Sequence, residues 1–118
     1  MNSCAESLKW YEELDAAITV CNDKGVIIYM NNKSIQQFAK YGGSELIGKN
    51  LLDCHPEPSK SKLTEMLNKP QSHIYSTHKD GVEKMIIQKP WTENGQFKGL
   101  VEISFLLPDK MHLEKKEN

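Results

Sequence analysis

The residues best suited to chemistry are Cys54 and His55, adjacent in one loop, the strand histidines His73 and His78, and the polar pair Gln88 and Glu102 within apolar strands. A neutral imidazole can ligate iron or zinc, so Cys54, His55 and a strand histidine sketch a zinc site. Glu102 beside His55 would serve as an acid–base pair. Each has a plainer reading. A histidine on a loop or strand is more often a surface or hydrogen-bonding residue, and a thiol is reactive only where its surroundings depress its pKa. No nucleophile motif, phosphate loop or metal-ligand spacing accompanies these residues, which points to a protein that is not an enzyme and holds no structural metal. Cys4, Cys21 and Cys54 are odd in number and lack Cys-x-x-Cys spacing, so they read as reduced thiols rather than a disulfide framework.

The elements that would position these groups follow from periodicity. Over residues 3–15, Leu8, Tyr11 and Leu14 recur at helical spacing with Trp10 beside them, which predicts an amphipathic N-terminal helix. Two β-prone runs, 17–21 and 26–30, flank Asn22-Asp23-Lys24-Gly25 and form a hairpin. Asn32 can cap a helix carrying Ile35, Phe38 and Ala39, which Gly42-Gly43 can end, and a further helical turn fits 44–47. Residues 60–68 place Leu63, Met66 and Leu67 on one helical face before Pro70. Strands over 72–79, 82–91 and 97–107 are separated by Asp80-Gly81 and Asn94-Gly95, both strong hairpin turns. The order predicts an α+β domain with a five-stranded antiparallel sheet and helices on one face.

The 118 residues suit one domain, with 16 acidic against 15 basic side chains. Near-neutral charge gives no pull toward nucleic acid or anionic lipid. No apolar run approaches the roughly 20 residues that span a bilayer, and no signal pattern opens the chain, so a cytoplasmic location is expected.

Over residues 15–107 the sequence resembles the PAS family, of the prokaryotic sensory-box type. Ile28-Tyr29-Met30-Asn31-Asn32 is similar to the family's strand-to-helix junction, and Tyr41-Gly42-Gly43-Ser44-Glu45-Leu46-Ile47-Gly48-Lys49-Asn50 to its Gly-Tyr-Ser-x-Glu-Glu-Leu-Ile-Gly-Lys segment. Lys79-Asp80-Gly81, Pro90 and Asn94-Gly95-Gln96-Phe97-Lys98-Gly99 follow at the family's intervals. The organisation is then an N-terminal helix over 1–14, a PAS domain over 15–107 and a charged tail over 108–118. The resemblance implies a sensory module of two-component or transcription-regulating systems, which binds a small ligand, dimerises, or engages a signalling partner. A purely structural dimerisation role is the alternative. No room remains for a kinase, cyclase or DNA-binding domain, and Leu106-Leu107-Pro108 stands where the family often has Asp-Ile-Thr leading to an output helix.

The same resemblance bears on cofactors. A covalent flavin sensor would have cysteine after Gly48-Lys49-Asn50, where this chain has Leu51; haem-binding members place a histidine on the helix here spanning 60–68, which has none. No cofactor is therefore expected, and the haem alternative would rest on His55 and His78. The ligand pocket is expected between the sheet and the helices over 32–41 and 60–68, near His55, with Phe38 and Met66 in its walls. Flavin-binding relatives imply that Leu100, Glu102 and Ser104 face it, beside Thr19, Cys21, Ser76, Ile86 and Gln88. Val101, Ile103 and Phe105 would then face outward and, with Trp10, Tyr11 and Leu14, form a homodimer interface. Plain alternation would instead turn the apolar set inward. A strict Asn94-Gly95 hairpin pairs Gln88 with Val101, whereas a longer turn or a bulge restores the family register.

Overall fold

The computed structural model describes residues 8–112 and 114–116. Strands β1 (Ala17–Asn22) and β2 (Ile27–Met30) pair antiparallel. Asn22 organises their turn, its Oδ1 accepting from the Lys24 and Val26 N–H groups at 2.9 and 3.0 Å. Helix α1 (Asn32–Gln37) follows at once. Asn31, not Asn32, is its cap: extended at φ −80° and ψ 178°, it accepts from the Ser34 N–H at 3.0 Å. After short 3₁₀ turns at Ala39–Tyr41, Gly43–Leu46 and Leu51–Asp53, helix α2 (Ser59–Asn68) buries Leu63 and Met66.

Strands β3 (His73–Lys79), β4 (Val82–Glu93) and β5 (Gln96–Leu106) form the meander. Asp80 and Asn94 stand at φ 54° and 53°, each followed by a positive-φ glycine, as tight primed turns require. The sheet order is β2-β1-β5-β4-β3, with antiparallel pairing throughout. The five-stranded α+β architecture expected above is therefore the observed one.

The register contains both devices weighed from sequence. Glu93 pairs with Gln96 across a strict two-residue turn, yet Trp91 pairs with Gly99 and Thr92 with Phe97, so Lys98 is an extra residue. This bulge shifts the ladder by one and pairs Gln88 with Glu102 and Ile86 with Ser104. Leu100, Glu102 and Ser104 thus face the helices; Val101, Ile103 and Phe105 face away. Side-chain contacts agree, since Ser104 Oγ meets Gln37 Oε1 of α1 at 3.4 Å and Thr19 Oγ1 meets Ser34 Oγ at 2.6 Å. The core between sheet and helices gathers Cys21, Ile27, Met30, Leu46, Leu51, Leu63, Met66 and Leu100.

Residues 1–7 of the expected N-terminal helix lie outside the described residues. Its described part is a single turn over 10–13, where the Glu12 N–H donates to the Lys9 carbonyl at 3.1 Å. The helix goes no further because its carbonyls are taken: Asn31 Nδ2 donates to the Tyr11 oxygen at 2.8 Å and the Asn32 N–H to the Glu12 oxygen at 3.0 Å. The described residues of the tail carry no helix or strand.

Candidate functional site

Sheet register decides which polar groups meet the helices. On the inner face, β3 contributes His73 and Tyr75, β4 Gln88, β1 Thr19 and Cys21, and β5 Leu100 and Glu102. Of these, Thr19, Cys21, Gln88, Leu100 and Glu102 line a cavity of about 50 Å³ closed by Phe38, Leu51, His55 and Leu63. A groove of about 340 Å³ adjoins it, sharing His55, Leu63 and Gln88 and adding Lys62, His73 and Tyr75. The cavity has room for a water or two, and the groove is several times larger.

One polar chain links the two spaces. Gln88, 5% exposed, donates from Nε2 to Glu102 Oε1 at 2.9 Å, and its Oε1 meets His73 Nδ1 at 3.2 Å. Burying an amide against a half-buried carboxylate is costly unless both are paired, so this contact fixes the orientation of each. His73 stacks on Tyr75 with ring centroids 4.6 Å apart. His55 Nδ1 contacts the Leu51 carbonyl at 2.7 Å, which anchors the loop ring at the cavity mouth.

Burial pushes the Cys21 thiol up, which keeps it protonated and unfit as a nucleophile. Burial, then the nearby Glu102 charge, likewise raises the Tyr75 phenol. Neither group is poised for nucleophilic chemistry. Among the described residues no group of three or more His, Cys, Asp or Glu side chains is placed to hold a metal ion.

Of the pocket residues read from sequence, Thr19, Cys21, Phe38, His55, Gln88 and Glu102 come together around the cavity. Four do not. Ser76 pairs with Met85 and lies exposed on the outer face, because the two-residue Asp80-Gly81 turn sets Tyr75, not Ser76, opposite Ile86. Met66 is fully buried in the core rather than in the cavity wall. Ile86 is inward and half-buried but outside the cavity lining, and Ser104 lines a different groove. His78, the second haem candidate, sits exposed on the outer face, 3.9 Å from Glu83. It cannot act with His55 across the sheet. Tyr75 was missed and His73 set aside, although parity counted from the same turn places both inward.

A larger groove of about 520 Å³ lies at the far end of β5, among Asp15, Lys33, Gln37, Lys84 and Ser104. Its walls are mostly exposed side chains, and Lys33 is already paired with Asp15 at 3.0 Å. Its polar pair, Ser104 with Gln37 at 3.4 Å, is uncharged and longer than the Gln88–Glu102 contact of the inner cavity.

The sequence profile described as the PAS fold matches residues 11–70, which is 60 of the 118 residues. The chain belongs to the PAS-fold family. Against curated protein sequences it finds no match. Among solved structures it is similar to a C-terminal domain from Streptococcus mutans, at 18% identity and TM-score 0.68 over 89% of this chain and 85% of that one. It is also similar to a sensory box sensor histidine kinase from Vibrio cholerae, at 17% identity and TM-score 0.63 over 91% and 92%. A third is the VqmA dimer of Vibrio cholerae, a LuxR-type receptor, at 17% identity and TM-score 0.66 over 96% of this chain and 55% of that one. At these identities the likeness is one of fold. Among the described residues, no helix is long and apolar enough to cross a membrane.

Proposed function

We propose that this chain is a non-catalytic sensory PAS module that takes a small molecule at the inner cavity and its adjoining groove. The observation that carries the reading is the Gln88–Glu102 pair, an ordered polar contact at the wall of an otherwise apolar cavity, which is how small-ligand sites fix orientation. The sensory role is supported by the family and by the kinase and receptor whose folds it shares. The test is thermal melting of the intact chain against a set of small polar compounds, with the double variant Gln88→Leu/Glu102→Leu in parallel. Removing both partners of a pair together spares the fold a stranded polar group. At about 100 times Kd a true ligand should raise the wild-type Tm by about 5 °C or more. Compounds that stabilise both proteins equally would contradict the assignment.

We infer that haem is not the ligand: the enclosed cavity of about 50 Å³ is smaller than a macrocycle, and His55 and His78 stand on opposite faces of the sheet, so they could not share one in the groove beside it. The freshly purified protein should be colourless, with no visible absorption above about 350 nm at near-equal stoichiometry. A Soret band would overturn this.

We also infer that the outer sheet face pairs with a second copy. Val101, Ile103 and Phe105 lie beside Met85 and Ile87 on that face, with Val20 on β1, while Trp10 is 64% exposed nearby in sequence to Tyr11, which packs edge-on against Tyr29 at 5.4 Å. Twofold pairing would cover the apolar face. Light scattering at about 100 µM should give the dimer mass, since a dimer with Kd near 10 µM is then mostly assembled. Ile103→Glu should return it to monomer, and a monomeric wild type at that concentration would end the dimer reading.

A further inference from the structure

Hydrogen-bond polarity at the site can be worked out from which atoms are able to donate. Glu102 is a carboxylate and accepts only, so the Gln88 atom facing it is the amide nitrogen, and the Gln88 oxygen faces His73. That oxygen needs a donor, which places a hydrogen on His73 Nδ1 and leaves Nε2 as the acceptor of the neutral ring. The Leu51 carbonyl imposes the same tautomer on His55, whose Nδ1 must donate to it. Neither Nε2 has a hydrogen-bond partner among the described residues. The cation of the groove, Lys62, donates from Nζ to Glu65 Oε2 at 3.2 Å and to Gln71 Oε1 at 3.1 Å, which commits two of its three N–H groups and pairs its charge with a carboxylate. The Tyr75 and Ser59 hydroxyls adapt in either direction. What the site offers is one carboxylate and two imidazole acceptors, with a single lysine among the described residues lining it, already paired with Glu65.

Resting on the ligand-site reading above, we infer that the molecule recognised here is a small nitrogen cation rich in hydrogen-bond donors, of the amidinium or amine class, and not an organic acid. A carboxylate ligand would face Glu102 and two lone pairs, with only the Glu65-paired Lys62 to offset them. An amidinium has donors for the carboxylate and for an imidazole Nε2, and its bond to the carboxylate would be charge-assisted.

Benzamidinium, benzamide and benzoate share one shape and differ in charge and donor count, so their titration into the ¹⁵N-labelled full chain tests the class directly. Benzamidinium should shift the Gln88 side-chain amide and the His55 and His73 resonances, with affinity about tenfold or more above benzoate. Glu102→Gln should remove most of that preference while the remaining spectrum stays dispersed as in a folded chain. The remote exposed change Glu83→Gln should leave the preference intact. Benzoate binding as tightly as benzamidinium at these residues would overturn the cation class while keeping the ligand site. If none of the three probes shifts these residues, both readings fall.

Discussion

Replacing Asn31 with alanine should lower unfolding free energy by about 3 kcal/mol or more, which corresponds to a Tm loss of about 10 °C for a domain of this size. Asn31 is 1% exposed and its side chain makes four hydrogen bonds. Its Oδ1 accepts from the Ile18 and Ser34 N–H groups at 2.9 and 3.0 Å, and its Nδ2 donates to the Tyr11 and Ala16 carbonyls at 2.8 and 2.9 Å. One side chain thus caps α1, pins β1 and holds the N-terminal turn. Loss of a cap costs about 1 kcal/mol, and each polar group left buried without a partner about 1–3 more. Asn31→Asp sharpens the test. It keeps both accepted bonds but points a second acceptor at two carbonyls, so it should be at least as damaging as alanine. Chemical denaturation placing Asn31→Asp within about 1 kcal/mol of wild type would show that the donated bonds are unimportant.

The second large effect is expected at Gly99. Its φ of 153° sits at the bulge opposite Asn22, and an added Cβ would press into the Cys21 carbonyl oxygen and stand 2.8 Å from the Asn22 backbone. Both obstacles are main-chain atoms of the neighbouring strand, which cannot rotate aside. Gly99→Ala should therefore cost about 3 kcal/mol or more. Gly95→Ala provides the contrast: φ there is 78°, but nothing lies within 4 Å of the new methyl, so the cost should be about 1 kcal/mol. Because the bulge beside Gly99 sets Gln88 opposite Glu102, the Gly99 variant should also lose the site. Equal costs for the two alanine variants would contradict this account of the register.

How far the sequence was legible follows from the kind of signal at each place. The turn pairs Asp80-Gly81 and Asn94-Gly95 announced their hairpins because few residue pairs tolerate positive φ at both positions. The bulge at Lys98 had no comparable local signature, and plain alternation along β5 favoured the opposite face; only the family comparison pointed Glu102 inward. Ser76 was a miscount of parity that the Asp80-Gly81 turn could have corrected. Met66 was unreadable for another reason: helical spacing tells which side of α2 faces the sheet, not whether that side meets a void or a packed core. The N-terminal helix is a single turn over its described part, where Asn31 and Asn32 bond its carbonyls, a tertiary effect invisible to periodicity.

The claim that the inner cavity, and not the larger groove at the far end of β5, is the ligand site is most directly tested by chemical-shift mapping. A mixture of small polar fragments is titrated into the ¹⁵N-labelled intact chain, and the perturbed residues are located on the structure. Shifts should gather at His55, His73, the Gln88 side-chain amide, Leu100 and Glu102. Shifts gathering instead at Lys33, Gln37, Lys84 and Ser104 would contradict it.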